Sequence, residues 1–117
     1  MDTETKLYTC DAGDLVIEFL NGGTVRLSNG IGDGQFPVCV GKNPPKGIGI
    51  AATIVGKFRI LKYDCEANDE THPVFLKNNF ENIDGKWIPK ALFDLSGKFF
   101  VYIDSGSVYF EKLGVTA

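Results

Sequence analysis

The chain has 117 residues, 12 of them Lys or Arg, 15 Asp or Glu and one His, giving a formal charge of −3. That length suits one soluble domain, residues 1–117, with a core of its own. The charge argues against a protein devoted to nucleic acid or to an anionic membrane surface. A hydrophobic content of 44% excludes a disordered acidic segment.

The single histidine leaves little for histidine-based catalysis or a multi-histidine metal site. The cysteines are Cys10, Cys39 and Cys65. An odd number cannot close fully into internal bridges. The opening Met1-Asp2-Thr3-Glu4-Thr5-Lys6 lacks the basic-then-apolar pattern of a secretory leader. Both features lead us to expect free thiols and a cytoplasmic protein. The longest apolar stretch, Ile48 to Val55, falls far short of the ~20 residues of a spanning helix.

Helical periodicity is nearly absent, and the elements in chain order read as strands. Leu15, Ile17 and Phe19 alternate with Val16, Glu18 and Leu20. Asn21-Gly22-Gly23 then turns the chain into Thr24-Val25-Arg26-Leu27-Ser28, a strand–turn–strand pattern. Phe36-Pro37-Val38-Cys39-Val40 is a short strand whose proline predicts a strand start or an edge. From Ile48 to Ile60 the even positions form a nearly unbroken apolar face, with Val55-Gly56-Lys57 as a turn or bulge within it. Strand character runs on through Leu61-Lys62-Tyr63.

Pro73-Val74-Phe75-Leu76 and Ala91-Leu92-Phe93-Asp94-Leu95 are weaker strand candidates. Between them, Phe80, Ile83 and Trp87 fall at helical spacing. Asp84-Gly85 instead favours a hairpin of Phe80–Ile83 with Lys86–Ile88, and we adopt that reading. The last hairpin joins Phe99–Ile103 to Ser107–Glu111 through Asp104-Ser105-Gly106. Phe99–Ile103 is apolar on both faces, which predicts a central, covered strand. About eight short strands at such spacing predict an all-β fold, an antiparallel sandwich or a partly open barrel.

The densest unusual segment is Ser28 to Val38, with alternating Gly30, Gly32 and Gly34. It is not a dinucleotide fingerprint, because the third glycine comes one residue early and no helix follows. Nor does it end in the Gly-Lys-Ser/Thr of a phosphate loop. It reads as a tight loop in which glycines take positive φ and Asp33 bonds nearby backbone N–H groups, with a rigid loop that presents Asp33 and Gln35 to a partner as the functional alternative. Gly32-Asp33-Gly34-Gln35-Phe36-Pro37-Val38-Cys39-Val40-Gly41 resembles the G-D-G-x-aromatic-P-V-x-x-G stretch of small bacterial β-rich proteins, some grouped with the immunity proteins of polymorphic toxin systems. Cys39 departs from it, since several of those proteins have an aromatic residue there. The resemblance implies a protein that neutralises a cognate toxin by binding it, and carries over no catalytic residue.

A second cluster is Asp64-Cys65-Glu66-Ala67-Asn68-Asp69-Glu70-Thr71-His72. Its spacing matches neither a zinc nor a calcium pattern, so it reads as a solvated acidic loop joining two strands, with a loop that turns Asp64, Glu66, Asp69 and Glu70 to a partner as the alternative. Cys65 and His72 are the nearest nucleophile–base pair, but a polar loop does not hold them together. Trp87, near Pro89 and polar residues, is a candidate contact, as aromatics often are at binding surfaces.

The expectation is thus a non-enzymatic protein-binding domain. It has no catalytic residue, metal or cofactor, and its partner is a protein such as a basic toxin domain rather than nucleic acid or membrane. A ligand-binding barrel and a self-assembling structural subunit, homodimeric through an exposed strand edge, are the alternatives.

Overall fold

The computed structural model describes residues 3–68 and 70–114. In chain order these form β1 (Glu4–Cys10), β2 (Asp14–Phe19), β3 (Thr24–Ser28), β4 (Gly34–Val40), β5 (Ile50–Leu61), α1 (Pro73–Asn79), β6 (Phe80–Ile83), β7 (Lys86–Pro89), β8 (Ala91–Asp104) and β9 (Ser107–Leu113). Seven strands make one sheet in the order β1-β4-β9-β8-β5-β2-β3, curled into a half-barrel, and β6 and β7 make a separate hairpin. The fold is all-β. Every neighbouring pair is antiparallel except β4 and β9, which run parallel from Val38↔Val108 to Val40↔Phe110. No helix among the described residues is long and apolar enough to cross a membrane.

The spine is the long antiparallel pair β5–β8. Its inward residues alternate as the sequence predicts: Ile54, Phe58 and Ile60 on β5, with Phe93, Phe99 and Val101 on β8. Strand β5 does not turn at Val55–Lys57. It runs through, and Gly56 pairs with Gly97 of β8. Both glycines have positive φ, +127° and +131°, far from the −120° to −140° of a regular strand. A matched break of the pleat in the two longest strands lets the sheet curl. The ring of Phe19 lies over Gly56, 3.8 Å from where a Cβ would stand.

The curl brings the edge strand β1 back towards the middle of the sheet. Thr9 N–H donates to Lys62 O at 2.9 Å. Lys6 Nζ donates to Leu92 O at 3.1 Å and stands 4.8 Å above the Phe93 ring. The enclosed space is filled. Phe58, Phe99 and Phe110 contact one another with ring centroids 5.5 to 6.1 Å apart, amid Leu15, Ile17, Val38 and Val108. Each such side chain contributes about 1.5–3 kcal/mol on burial. Tyr8 is buried with them, and its hydroxyl donates to Gly106 O at 3.1 Å.

The outer face of β2 and β5 carries a second, smaller packing layer. Val16, pointing away from Leu15 and Ile17, is buried there, as are Leu61, Leu76 and Phe80. Tyr63, Phe75 and Phe80 form an aromatic trio with centroids 5.4 to 5.7 Å apart. Arg59 ties the layers together, with Nε 2.8 Å from Glu18 Oε1 and Nη1 3.6 Å from Glu81 Oε1.

Besides the turn or bulge at Val55–Lys57, other expectations change. Pro73–Leu76 is not a strand but the start of α1. His72 caps the helix, its Nδ1 accepting from Val74 N–H at 3.2 Å, and Pro73 suits the first turn, where no N–H is needed. Pro37 does not mark an edge or a strand start, because β4 lies between β1 and β9. It precedes the Val38–Val40 stretch that pairs with β9. Phe99–Ile103 is central, as expected, yet Phe100 and Tyr102 on its outer face are only half-buried. Strand β1 has no counterpart in the sequence reading. The hairpin at Asp84-Gly85 is as predicted, with Phe80–Ile83 against Lys86–Pro89.

Gly56→Ala separates backbone strain from crowding, since the new methyl group meets only the Phe19 ring at an ordinary distance. It is expected to lower the denaturant-unfolding free energy by about 1–3 kcal/mol, whereas the exposed Val55→Ala beside it should change it by less than about 0.5 kcal/mol.

Candidate functional site: an acidic end held by two buried polar side chains

Three connections meet at one end of the half-barrel: residues 11–13 between β1 and β2, residues 29–33 between β3 and β4, and residues 62–72 between β5 and α1. What joins them is internal. The Asp64 side chain lies three residues past the end of β5 and is 2% exposed. Its Oδ1 accepts from Asp11 N–H at 2.8 Å, and its Oδ2 from Ala12 N–H at 2.8 Å and Asp14 N–H at 3.3 Å. One carboxylate thus satisfies three backbone donors of a turn that has no ladder partner.

Asn29, also 2% exposed, does the equivalent work for the glycine-rich loop. Its Oδ1 accepts from the N–H groups of Ile31 and Gly32, both at 2.8 Å. Its Nδ2 donates to Gly32 O at 2.8 Å and to Cys10 Sγ at 3.3 Å. Its own N–H donates to Gly13 O at 2.9 Å, which fastens this loop to the β1–β2 turn. Arg26 Nη1 donates to Asp64 O at 3.1 Å and lies 3.6 Å from Asp14 Oδ2.

These buried contacts leave Asp11, Asp33 and Glu66 exposed around the same end. Their field is felt nearby: burial raises the Tyr63 hydroxyl above its ordinary value, and the charges of Asp11, Asp64 and Asp33 raise it further. The Cys65 thiol is pushed up to about 11, first by burial and then by Asp64. It is therefore protonated at neutral pH and a poor nucleophile. His72 Nδ1 is occupied by the cap of α1. Nothing in this arrangement activates Cys65. Among the described residues, no three His, Cys, Asp or Glu side chains gather in a way that could hold a metal ion.

The residues singled out in the sequence are not all brought together. Asp33 and Glu66 are exposed at the acidic end, and it is Asn29, not Asp33, that bonds the N–H groups of the glycine loop. Gln35 is exposed beside them on β4, its Nε2 3.5 Å from Thr9 Oγ1. Asp64 is not a surface acid: its carboxylate is consumed by backbone N–H groups, and the expectation that it meets a partner is corrected. Glu70 is exposed further along the same loop, where its N–H donates to Asn68 Oδ1 at 2.9 Å. Asp69 lies outside the described residues. Trp87 is half-buried on β7, and its carbonyl accepts from Ala67 N–H at 3.3 Å, tying the hairpin to the acidic loop. Asp11 and Asn29 were missed. The signals available were Asn-Gly at 29–30 and Asp-Ala-Gly at 11–13, both typical of side chains that bond to nearby backbone.

Among the described residues, two of the surface depressions lie near loops or strand ends. One of about 190 Å³ lies between β2–β3 and the 63–66 segment, lined by Val16, Glu18, Arg26, Cys65 and Glu66 among others. Another of about 220 Å³ lies beside Leu20, Lys57 and Leu95. Both are smaller than the roughly 300–1,000 Å³ of small-molecule sites.

Two outcomes follow from this geometry. Asp64→Asn is expected to cost about 2–4 kcal/mol, because a neutral amide cannot accept all three N–H bonds with the strength of a carboxylate. Amide exchange at Asp11, Ala12 and Asp14 should then accelerate more than exchange in β5. Cys10, like Cys65, has a thiol raised from its ordinary 9.0, mainly by burial. Below pH 9 both folded and unfolded chains keep these protons; above it the unfolded chain ionises first and is favoured. Stability measured in urea is therefore expected to fall as pH rises from 9 towards 11, and Cys65 alkylation by iodoacetamide should still be accelerating at pH 10.

No family model matches the chain, and no curated protein or solved structure does either, so the geometry of this end carries the functional reading by itself.

Proposed function

We propose that this protein is a non-enzymatic binding module whose acidic end docks on a basic surface of a partner protein, in the manner of an immunity protein that occludes a toxin. The observation that carries this reading is the pairing of exposed acids with locked backbone. Asp11, Asp33 and Glu66 stand on connections that Asp64 and Asn29 fasten from beneath. A surface already held in place loses little conformational entropy on binding. Its negative charge, with −3 on the whole chain, steers a basic partner into register.

Other observations favour the same reading. The half-barrel interior is filled by Tyr8, Phe58, Phe99 and Phe110, which disfavours the ligand-binding barrel. A protonated Cys65 and a His72 committed to a helix cap disfavour nucleophilic catalysis. Free Cys10, Cys39 and Cys65 suit a reducing, cytoplasmic setting. The stretch from Gly32 to Gly41, with its likeness to immunity-type proteins, begins inside this end of the molecule.

The test is whether a gene beside this one encodes a toxin-like protein and, with that product in hand, whether this chain co-purifies with it and protects against it. Wild-type protein is expected to bind it with an affinity that falls as salt is raised. Asp11→Lys, Asp33→Lys and Glu66→Lys together should slow association by roughly tenfold or more at low salt while leaving the circular dichroism spectrum unchanged. A folded triple variant that binds and protects as well as wild type removes the acidic end from the mechanism.

A further inference from the structure

Strand β3 is the outer edge of the sheet on the β2 side, and its hydrogen-bonding phase can be read from its ends. Phe19 N–H donates to Gly23 O at 2.8 Å, and Asn29 N–H donates to Gly13 O at 2.9 Å. Both fall on the register that pairs Glu18 with Thr24 and Asp14 with Ser28. In an antiparallel ladder the bonded pairs alternate. Val25 and Leu27 therefore turn their N–H and C=O groups to β2, while Thr24, Arg26 and Ser28 turn theirs away. These same three residues are exposed, and no described strand pairs with β3 on that side. The opposite edge of the sheet differs, since β1 is closed over by Thr9 N–H to Lys62 O and by Lys6 Nζ to Leu92 O.

We infer that the free edge of β3 receives one extended strand of a different chain, with apolar residues alternating on its inner face and a carboxylate opposite Arg26. The side chains select this occupant. Val25 and Leu27 are half-buried against the core, so an added strand continues the inner face by placing apolar residues beside them. On the outer face, Arg26 has a half-exposed side chain and uses only Nη1, towards Asp64 O and Asp14. Among the described residues its Nε and Nη2 are left for a carboxylate, which the guanidinium fork accepts through two parallel bonds.

A second copy of this chain is a worse occupant. For β3 to pair antiparallel with another β3 and bond all three outward residues, Arg26 must sit directly opposite Arg26 of the other copy. Like charges directly opposite are destabilising. A slip by two residues relieves that clash and leaves Thr24 or Ser28 unpaired. Arg26 thus guards the edge against self-pairing while favouring an acidic strand.

The probe is a capped heptapeptide, Val-Thr-Val-Glu-Val-Thr-Val, titrated into the ¹⁵N-labelled protein. The amides of Thr24, Arg26 and Ser28 are expected to shift and to gain protection from exchange, with those of β1 unaffected. Replacing the peptide's Glu by Lys should weaken binding about fivefold, and Arg26→Glu in the protein should invert that preference. Wild type should sediment as a monomer, and Arg26→Val should dimerise. Shifts that bypass the three amides, a preference indifferent to Arg26→Glu, or a wild-type dimer joined at β3 would each overturn the inference.

Discussion

Gly56 and Gly97 face each other across the two longest strands, each at a φ that a residue with a Cβ resists. Much else rests on that pair. A regular β5–β8 ribbon would twist without closing, and β1 would remain a distant edge. With the pleat broken in register on both strands, the sheet wraps around Phe58, Phe99 and Phe110, and Thr9 reaches the carbonyl of Lys62. That contact brings the end of β1 to the end of β5. Only then does Asp64 lie beneath the turn that follows Cys10.

The buried Asp64 carboxylate is costly in isolation, because removing an ion from water is expensive. Here the cost is offset by three N–H donors of a turn that would otherwise hold unsatisfied groups. Asn29 solves the same problem for the neighbouring glycine loop without a charge. Charge and amide are thus used inside so that Asp11, Asp33 and Glu66 can stand outside on a fixed backbone. An acidic surface on loose loops would have to be ordered at the moment of binding, and the proposed docking would lose affinity in proportion.

The end and the middle of β3 link this surface to the free edge. Ser28 runs directly into Asn29 and the glycine loop, and Arg26 reaches back to Asp64 O. A partner that meets the acidic end therefore lies next to a row of unpaired backbone groups. The two proposed surfaces ask for different chemistry, basic at the loops and acidic opposite Arg26, so the two proposals taken together call for a partner with mixed charge rather than a uniformly basic one.

The sequence by itself determined the all-β class, the inward alternation from Ile54 to Ile60 and Phe99 to Val101, and the turns at Asn21–Gly23, Asp84-Gly85 and Ser105-Gly106. Those follow from period-two patterning and from residues that tolerate positive φ, and both are local properties. It misjudged Pro73–Leu76, where an N-cap histidine and a first-turn proline outweighed apolar residues that also suit a strand. It placed Asp33 and Glu66 among the candidate contacts but set Asp64 beside them, since a carboxylate's sign is visible in sequence and its burial is not. Only the tertiary structure decided that residues 11–13, 29–33 and 62–72 converge, that Asp64 and Asn29 turn inward, and that β3 rather than β1 is left open. Those outcomes depend on strand order and curl, set by pairings between residues tens of positions apart, such as Gly56 with Gly97 and Thr9 with Lys62.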